Sequence, residues 1–142
     1  MAAANCDQKT YALAGMNNDI YLFSFPKQSV FQQFPAHDDY ITSVLFKPVK
    51  MYGDSHYLQK MLVTASADQT IKLWKLDFES KDSRPIPLVL YDHSEEVTSA
   101  HCSPQQDTFL LASVDLSGLV VVRDLRDPEV VLHRLRPREQ HS

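Results

Sequence analysis

Glycine is scarce in this chain: Gly15, Gly53 and Gly118 are the three in 142 residues. They stand too far apart to form the Gly-rich loop whose backbone cradles a phosphate, which excludes that mode of nucleotide binding. Cysteine is scarcer still. Cys6 and Cys102 have neither the paired spacing of a zinc site nor the density of a disulfide-stapled secreted domain, so two free thiols in a reducing compartment are expected. Basic charge is not in excess either. With 14 Lys and Arg against 18 Asp and Glu, a net charge of −4, the chain has no general attraction for nucleic-acid phosphates or anionic lipid. Long apolar runs are missing: the longest are strand-sized, such as Leu119 to Val122, far short of the roughly 18 residues of a membrane helix. The opening Met1 to Thr10 has no basic segment followed by an apolar run, so an intracellular protein without membrane contact is expected.

Helical periodicity is also hard to find. Short alternating or β-branched runs bounded by Asp, Asn, Ser, Gly and Pro occur throughout, which is the pattern of an all-β chain. The runs predict strands at Tyr11–Gly15, Ile20–Phe25, Val30–Phe34, Ile41–Phe46, Met61–Ala65, Ile71–Leu76, Leu88–Tyr91, Val97–Cys102, Phe109–Val114, Leu119–Asp124 and Val130–Leu135. Two polar segments, Lys47–Lys60 and Asp77–Pro87, read as long loops inside one domain. The polar end from Arg134 onward is expected to fray.

The strands repeat. Leu62 to Trp74, two strands around a tight turn, returns in degraded form from Ala12 to Phe23 and from Leu111 to Arg123. Phe23, Trp74 and Arg123 lie 51 and 49 residues apart, so one supersecondary unit occurs three times.

The middle copy resembles the WD-repeat family of β-propellers. It has His37 in the turn before a strand, Ile41 to Pro48 as that strand, and then Ser66-x-Asp68-x-Thr70-Ile71-x-Leu73-Trp74. The third copy keeps His93, Val97 to Pro104, Ser113 and Asp124, but has Ser117 at the turn aspartate and Arg123 at the tryptophan. The first keeps the strand pair alone, with Asn17 and Phe23 in those places. The resemblance implies an all-β, partial (open) β-propeller of four-stranded antiparallel blades: blade 1 near 10–35 and lacking its first strand, blade 2 near 37–91, blade 3 near 93–135, and a polar tail at 136–142. It also implies a buried network from His37 through Thr64 and Asp68 to Trp74, complete in the second blade and weakened in the other two. A ring needs about four to eight blades, so the chain is expected to be part of a larger propeller or an arc that completes itself by association through its open blade edges.

The same resemblance puts one set of turns on one face. There Asp38, Asp39, Tyr40, Asp92, Glu95 and Glu96 form a candidate partner-binding surface, acidic with one flat aromatic, suited to a basic segment of another protein. The implied role is a non-catalytic scaffold for multiprotein complexes, with no cofactor, metal or catalytic residue. A His-Thr-Asp grouping suggests a nucleophilic triad, but its positions match the fold device. His101 and Cys102 are neighbours in a strand and point to opposite faces, which argues against a shared metal. The rival role, a nucleic-acid- or chromatin-associated adaptor, would use Arg123, Arg126, Arg134, Arg136 and Arg138, which lack interleaved aromatics and are diluted by Asp124, Asp127 and Glu129.

Overall fold

Alternating side chains become twelve strands in a computed structural model that describes residues 3–7, 9–50, 58–76, 85–103, 109–127 and 130–137, leaving aside the side chains of 5–7, 48–50 and 58–60. The strands are β1 (Ala3–Asp7), β2 (Thr10–Ala14), β3 (Asp19–Ser24), β4 (Ser29–Pro35), β5 (Ile41–Lys50), β6 (Leu58–Ser66), β7 (Ile71–Leu76), β8 (Pro87–Leu90), β9 (Val97–Cys102), β10 (Leu110–Asp115), β11 (Val120–Asp124) and β12 (Val131–Leu135). Each run of four pairs in sequence order to make one antiparallel sheet: β1 to β4, β5 to β8, β9 to β12. Strand β5 neighbours both β1 and β9, so the first strands of the three sheets adjoin and the sheets fan out from them. The result is an open, partial β-propeller.

Two elements differ from the sequence reading. The first sheet has a fourth strand, β1, paired to β2 through Ala3↔Leu13 and Ala4↔Ala12, so this blade is not incomplete. Its Ala-Ala-Asn-Cys-Asp sequence has no apolar alternation to betray it, and a register shift between Asn5 and Asp7 blurs the period further. The segment Lys47–Lys60, read as a loop, begins and ends as strand: Lys47↔Met61, Pro48↔Lys60, Val49↔Gln59 and Lys50↔Leu58 extend the β5–β6 ladder. Pro48 is tolerated because β5 is an edge strand of its sheet. The middle of that segment, and residues 77–84 and 138–142 of the other predicted loop and tail, lie outside the described residues. Within the tail, Pro137 packs on the turn at Gly118, where an added Cβ would meet its Cγ at 3.0 Å.

Two apolar layers hold the sheets together. Between the first and second sheets, Ala12, Ala14, Ile20, Leu22 and Phe34 meet Val44, Leu62, Trp74 and Leu76. Between the second and third, Met61, Val63, Ala65, Ile71 and Leu73 meet Ala100, Phe109, Leu111 and Leu125. Successive residues of β6 thus serve opposite layers, as a strand's period of two requires. Polar stitches reinforce the narrow side: the Thr42 hydroxyl donates to the Val97 carbonyl at 2.7 Å, and the Ala100 N–H donates to Ser43 Oγ at 3.1 Å. Nearby, the half-buried Cys102 thiol packs on the second layer, and burial pushes its pKa up to about 11.

Candidate functional site

The turns between the second and third strands of each sheet share one backbone design. Gly15 N–H bonds Asp19 O at 2.9 Å, Ser66 N–H bonds Thr70 O at 3.1 Å, and Asp115 N–H bonds Leu119 O at 3.2 Å. The fourth residue of each turn lies in the left-handed region: Asn18 at φ 67°, Gln69 at 77° and Gly118 at 86°. Such a turn suits the twist of a hairpin. Its side chains then decide what each blade does with the position.

In the second sheet the turn completes a buried relay. The Trp74 indole N–H donates to Thr64 Oγ1 at 2.9 Å, and Thr64 Oγ1 lies 2.7 Å from His37 Nε2. On the other side of the ring, His37 Nδ1 meets Asp68 Oδ2 at 2.8 Å, and the Asp68 carboxylate also accepts from Thr70 N–H at 2.9 Å and from the Thr70 hydroxyl. Every group is satisfied by one arrangement: Thr64 gives its proton to Nε2, and Nδ1–H gives to Asp68, which leaves the imidazole neutral. Burial favours that neutral form and lowers the His37 pKa, outweighing the opposing pull of Asp68. Burial tends to raise the pKa of Asp68, but the bond from Thr70 and the His37 side chain prevail and hold it below the ordinary carboxylate value. Trp74 also tilts against Phe34 with ring centroids 4.8 Å apart, so the relay is fastened to the first sheet.

The third sheet holds its own relay, contrary to the expected weakening. His93 Nδ1 meets Asp115 Oδ2 at 2.8 Å, and His93 Nε2 meets Ser113 Oγ at 2.8 Å. Repeat alignment sets Ser117 against Asp68, but it also sets Asp115 against Ser66: serine and aspartate have exchanged places two residues apart. Asp115 reaches its histidine from the last position of β10, and Asp68 reaches His37 from the turn after β6, each at 2.8 Å. Burial raises the Asp115 pKa less than the bonds from Ser117 and His93 lower it, and the net shift is down. This Ser-His-Asp set has the connectivity of a hydrolytic triad, yet the His93 and Asp115 side chains are 0% and 1% exposed and Ser113 is buried. Ser113 Oγ is therefore enclosed with its histidine and aspartate, and the three side chains brace the turn.

Arg123, at the tryptophan position, reaches Asp92 instead. Its Nε donates to Asp92 Oδ2 at 2.6 Å and its Nη2 to Oδ1, a two-pronged pair whose side chains are 11% and 3% exposed. Two sequence readings change as a result. Asp92 is turned inward and neutralised rather than presented on the partner face, and Arg123 is withdrawn from the cluster of C-terminal arginines. The adjoining Asp92-His93 doublet was the available signal, since the second sheet has the apolar Ala36 before its histidine. Among the described residues the first sheet has no such relay: Gly15 stands where Ser66 and Asp115 stand, and a Cβ there would lie 2.6 Å from both Asn17 Oδ1 and Tyr21 Cε2. Asn17 Nδ2 bonds the Tyr21 hydroxyl at 2.8 Å in its place.

The remaining expected residues gather where the second and third sheets meet. Tyr40, 54% exposed, donates its hydroxyl to Glu96 Oε2 at 3.0 Å, and that bond raises the Tyr40 pKa. The backbone beneath is tied down: Ser66 Oγ donates to the carbonyls of Asp39 and Tyr40, Ala67 N–H donates to Tyr40 O at 3.0 Å, and Leu116 N–H donates to Glu96 O at 2.9 Å. Asp38 and Asp39, which precede Tyr40, and Glu95, which precedes Glu96, are all exposed. The sequence reading missed the apolar tip beside them, Leu116 at 61% exposure, because it is a lone apolar residue in a polar turn. Lys72 Nζ is engaged by the Ala36 carbonyl at 2.6 Å, so this cation is directed into the fold.

Comparison with known proteins agrees with this architecture. Residues 28–75 match the family described as WD domain, G-beta repeat. Over 96 residues the chain is 26% identical to "Component of gems protein 5" of Dictyostelium discoideum. That alignment covers 67% of this chain and 7% of the relative, so the chain spans a small part of the protein it matches.

Proposed function

We propose that this chain, which carries a WD repeat over residues 28–75, is a non-catalytic platform that holds other proteins together in an intracellular multiprotein complex. Its docking surface is the turn face between the second and third sheets, and its ligand is an extended basic segment of a partner. The observation that carries this reading is Tyr40: an aromatic ring half open to solvent and pinned by Glu96, with exposed carboxylates at Asp38, Asp39 and Glu95, the residues that precede the two. Aromatic residues on a rigid backbone give contact area at low entropic cost, and carboxylates around the ring select a cationic partner and speed its approach. Arg123 is paired with Asp92, so it adds no net positive charge to the face. The likeness to a protein named as a component of gems supports membership of an assembly.

A Lys- and Arg-rich peptide titrated against the chain tests the reading. Reversing Asp38, Asp39 and Glu95 to Lys should weaken binding at least tenfold, about 1.4 kcal/mol, and flatten its salt dependence. Affinity unchanged by the three reversals would sink the proposal.

A further inference from the structure

The first and third sheets each have one face that no other sheet among the described residues covers. On the third its centre is Ala112 and Val114 of β10 with Val120 and Val122 of β11, which share a side because Ala112 pairs with Val122 and Val114 with Val120, and the flanking strands add Ser99 and His101 of β9 and His133 and Leu135 of β12 at its margins. On the first its centre is Tyr11 and Leu13 of β2 with Tyr21 and Phe23 of β3, through the pairs Tyr11↔Phe23 and Leu13↔Tyr21, and the flanking strands add Ala3 of β1 and Gln33 of β4 at its margins. None of the eight central side chains is charged and none is fully buried, and the polar residues stand on the flanking strands. A terminal sheet of a repeat array that ends in solvent carries a polar outer face. These faces are built for contact.

The two open faces are of different kinds, and those kinds already meet twice inside the molecule. By repeat position, Val120 and Val122 correspond to Ile20 and Leu22 of the first sheet and to Ile71 and Leu73 of the second, which receive the next sheet. Phe23 and Tyr11 correspond to Trp74 and Leu62, which insert into the preceding one. The third sheet thus ends on a receiving face of small and branched side chains, and the first begins on an inserting face of large ones. A second copy of this chain supplies the missing member of each pair.

We propose that two copies join head to tail, the Tyr11–Leu13–Tyr21–Phe23 face of each seated on the Ala112–Val114–Val120–Val122 face of the other. Two identical joints close a two-fold ring of six sheets, within the range of about four to eight that propellers adopt. The turn faces carrying Tyr40 then lie on one rim of the ring, so the dimer presents its basic-segment site twice; the joints themselves do not depend on that site.

Sedimentation equilibrium of the 142-residue chain at about 100 µM should give twice the 16.2 kDa chain mass. Val120→Arg buries a charge in both joints and should weaken association at least a hundredfold, whereas Val120→Ile should keep the dimer. Leu13→Arg, on the opposite face, should act as Val120→Arg does. Mixing the two arginine variants should restore a two-chain species, since one joint in the mixed pair remains intact. Emission from Trp74, buried at an internal layer, reports whether each variant is folded. A monomeric wild type, an open-ended series of larger species, or a dimer that survives Leu13→Arg would each overturn the proposal.

Discussion

The second and third sheets fix the same histidine in the same turn by different means. In the second, the strand position behind the relay holds Trp74, which adds a hydrogen bond to Thr64 and a large apolar contact to Phe34. In the third, that position holds Arg123, which leaves the relay and grips Asp92. The tryptophan contributes through buried area, which grows with size and needs little orientation. The arginine contributes through a partner that must be present and aligned, because an enclosed guanidinium alone is costly. One blade is therefore robust to small displacements, and the other is specific in its geometry.

The largest break comes from removing the anchors. Trp74→Ala should cost about 3–5 kcal/mol by urea denaturation, as buried area and the Thr64 partner are lost together. Asp92→Ala should cost about 3 kcal/mol by removing the two-pronged carboxylate partner of Arg123, while Asp92→Ala with Arg123→Met should recover most of that loss, because both charges are gone. Recovery in the double variant separates the third sheet from the second, where no second substitution can replace the tryptophan's area.

The exchange of serine and aspartate offers a finer test. Asp115→Ser alone should cost about 1–3 kcal/mol by leaving His93 Nδ1–H without its acceptor. Adding Ser117→Asp rebuilds the order found in the second sheet and should return the thermal midpoint to near its starting value. A double variant no better than the single would mean that the two turns are not interchangeable.

Acid should act on the second relay first. The His37 pKa is lowered by folding, so the unfolded chain takes up a proton near pH 6.5 that the native state resists, and stability falls as pH drops from there toward the native pKa. Asp68 and Asp115, also lowered, add a later loss as pH falls below about 3.8 toward their native values. Urea midpoints from pH 7.5 to 5 should therefore decline, and His37→Gln, though less stable throughout, should show a shallower slope. The smallest effects lie in the turns themselves. Gln69→Gly should gain about 0.5 kcal/mol and Gly118→Ala should lose about 1 kcal/mol, because both sites need positive φ and one of them already has glycine.

How much of this was readable in the sequence depends on whether the signal was local. The strands around Trp74 announce themselves through alternation, and the residues of its relay sit at positions that the WD pattern labels. Strand β1 is made of small residues that carry no pattern and becomes a strand by pairing with β2. The relay of the third sheet was hidden because alignment compares positions, while a hydrogen bond asks only for a carboxylate on the right face within reach. Arg123 and Asp92 are 31 residues apart, and nothing local ties one to the other. Their pairing moved one acidic residue off the proposed docking face, which is now centred on Tyr40 and the carboxylates nearest to it.

Cys102 has a practical corollary. With its pKa at about 11, on the order of one thiol in ten thousand is ionised at neutral pH, so air oxidation and alkylation are slow while the second and third sheets stay together. In a chain with Cys6→Ser, the rate of alkylation becomes a clock for how often those two sheets part.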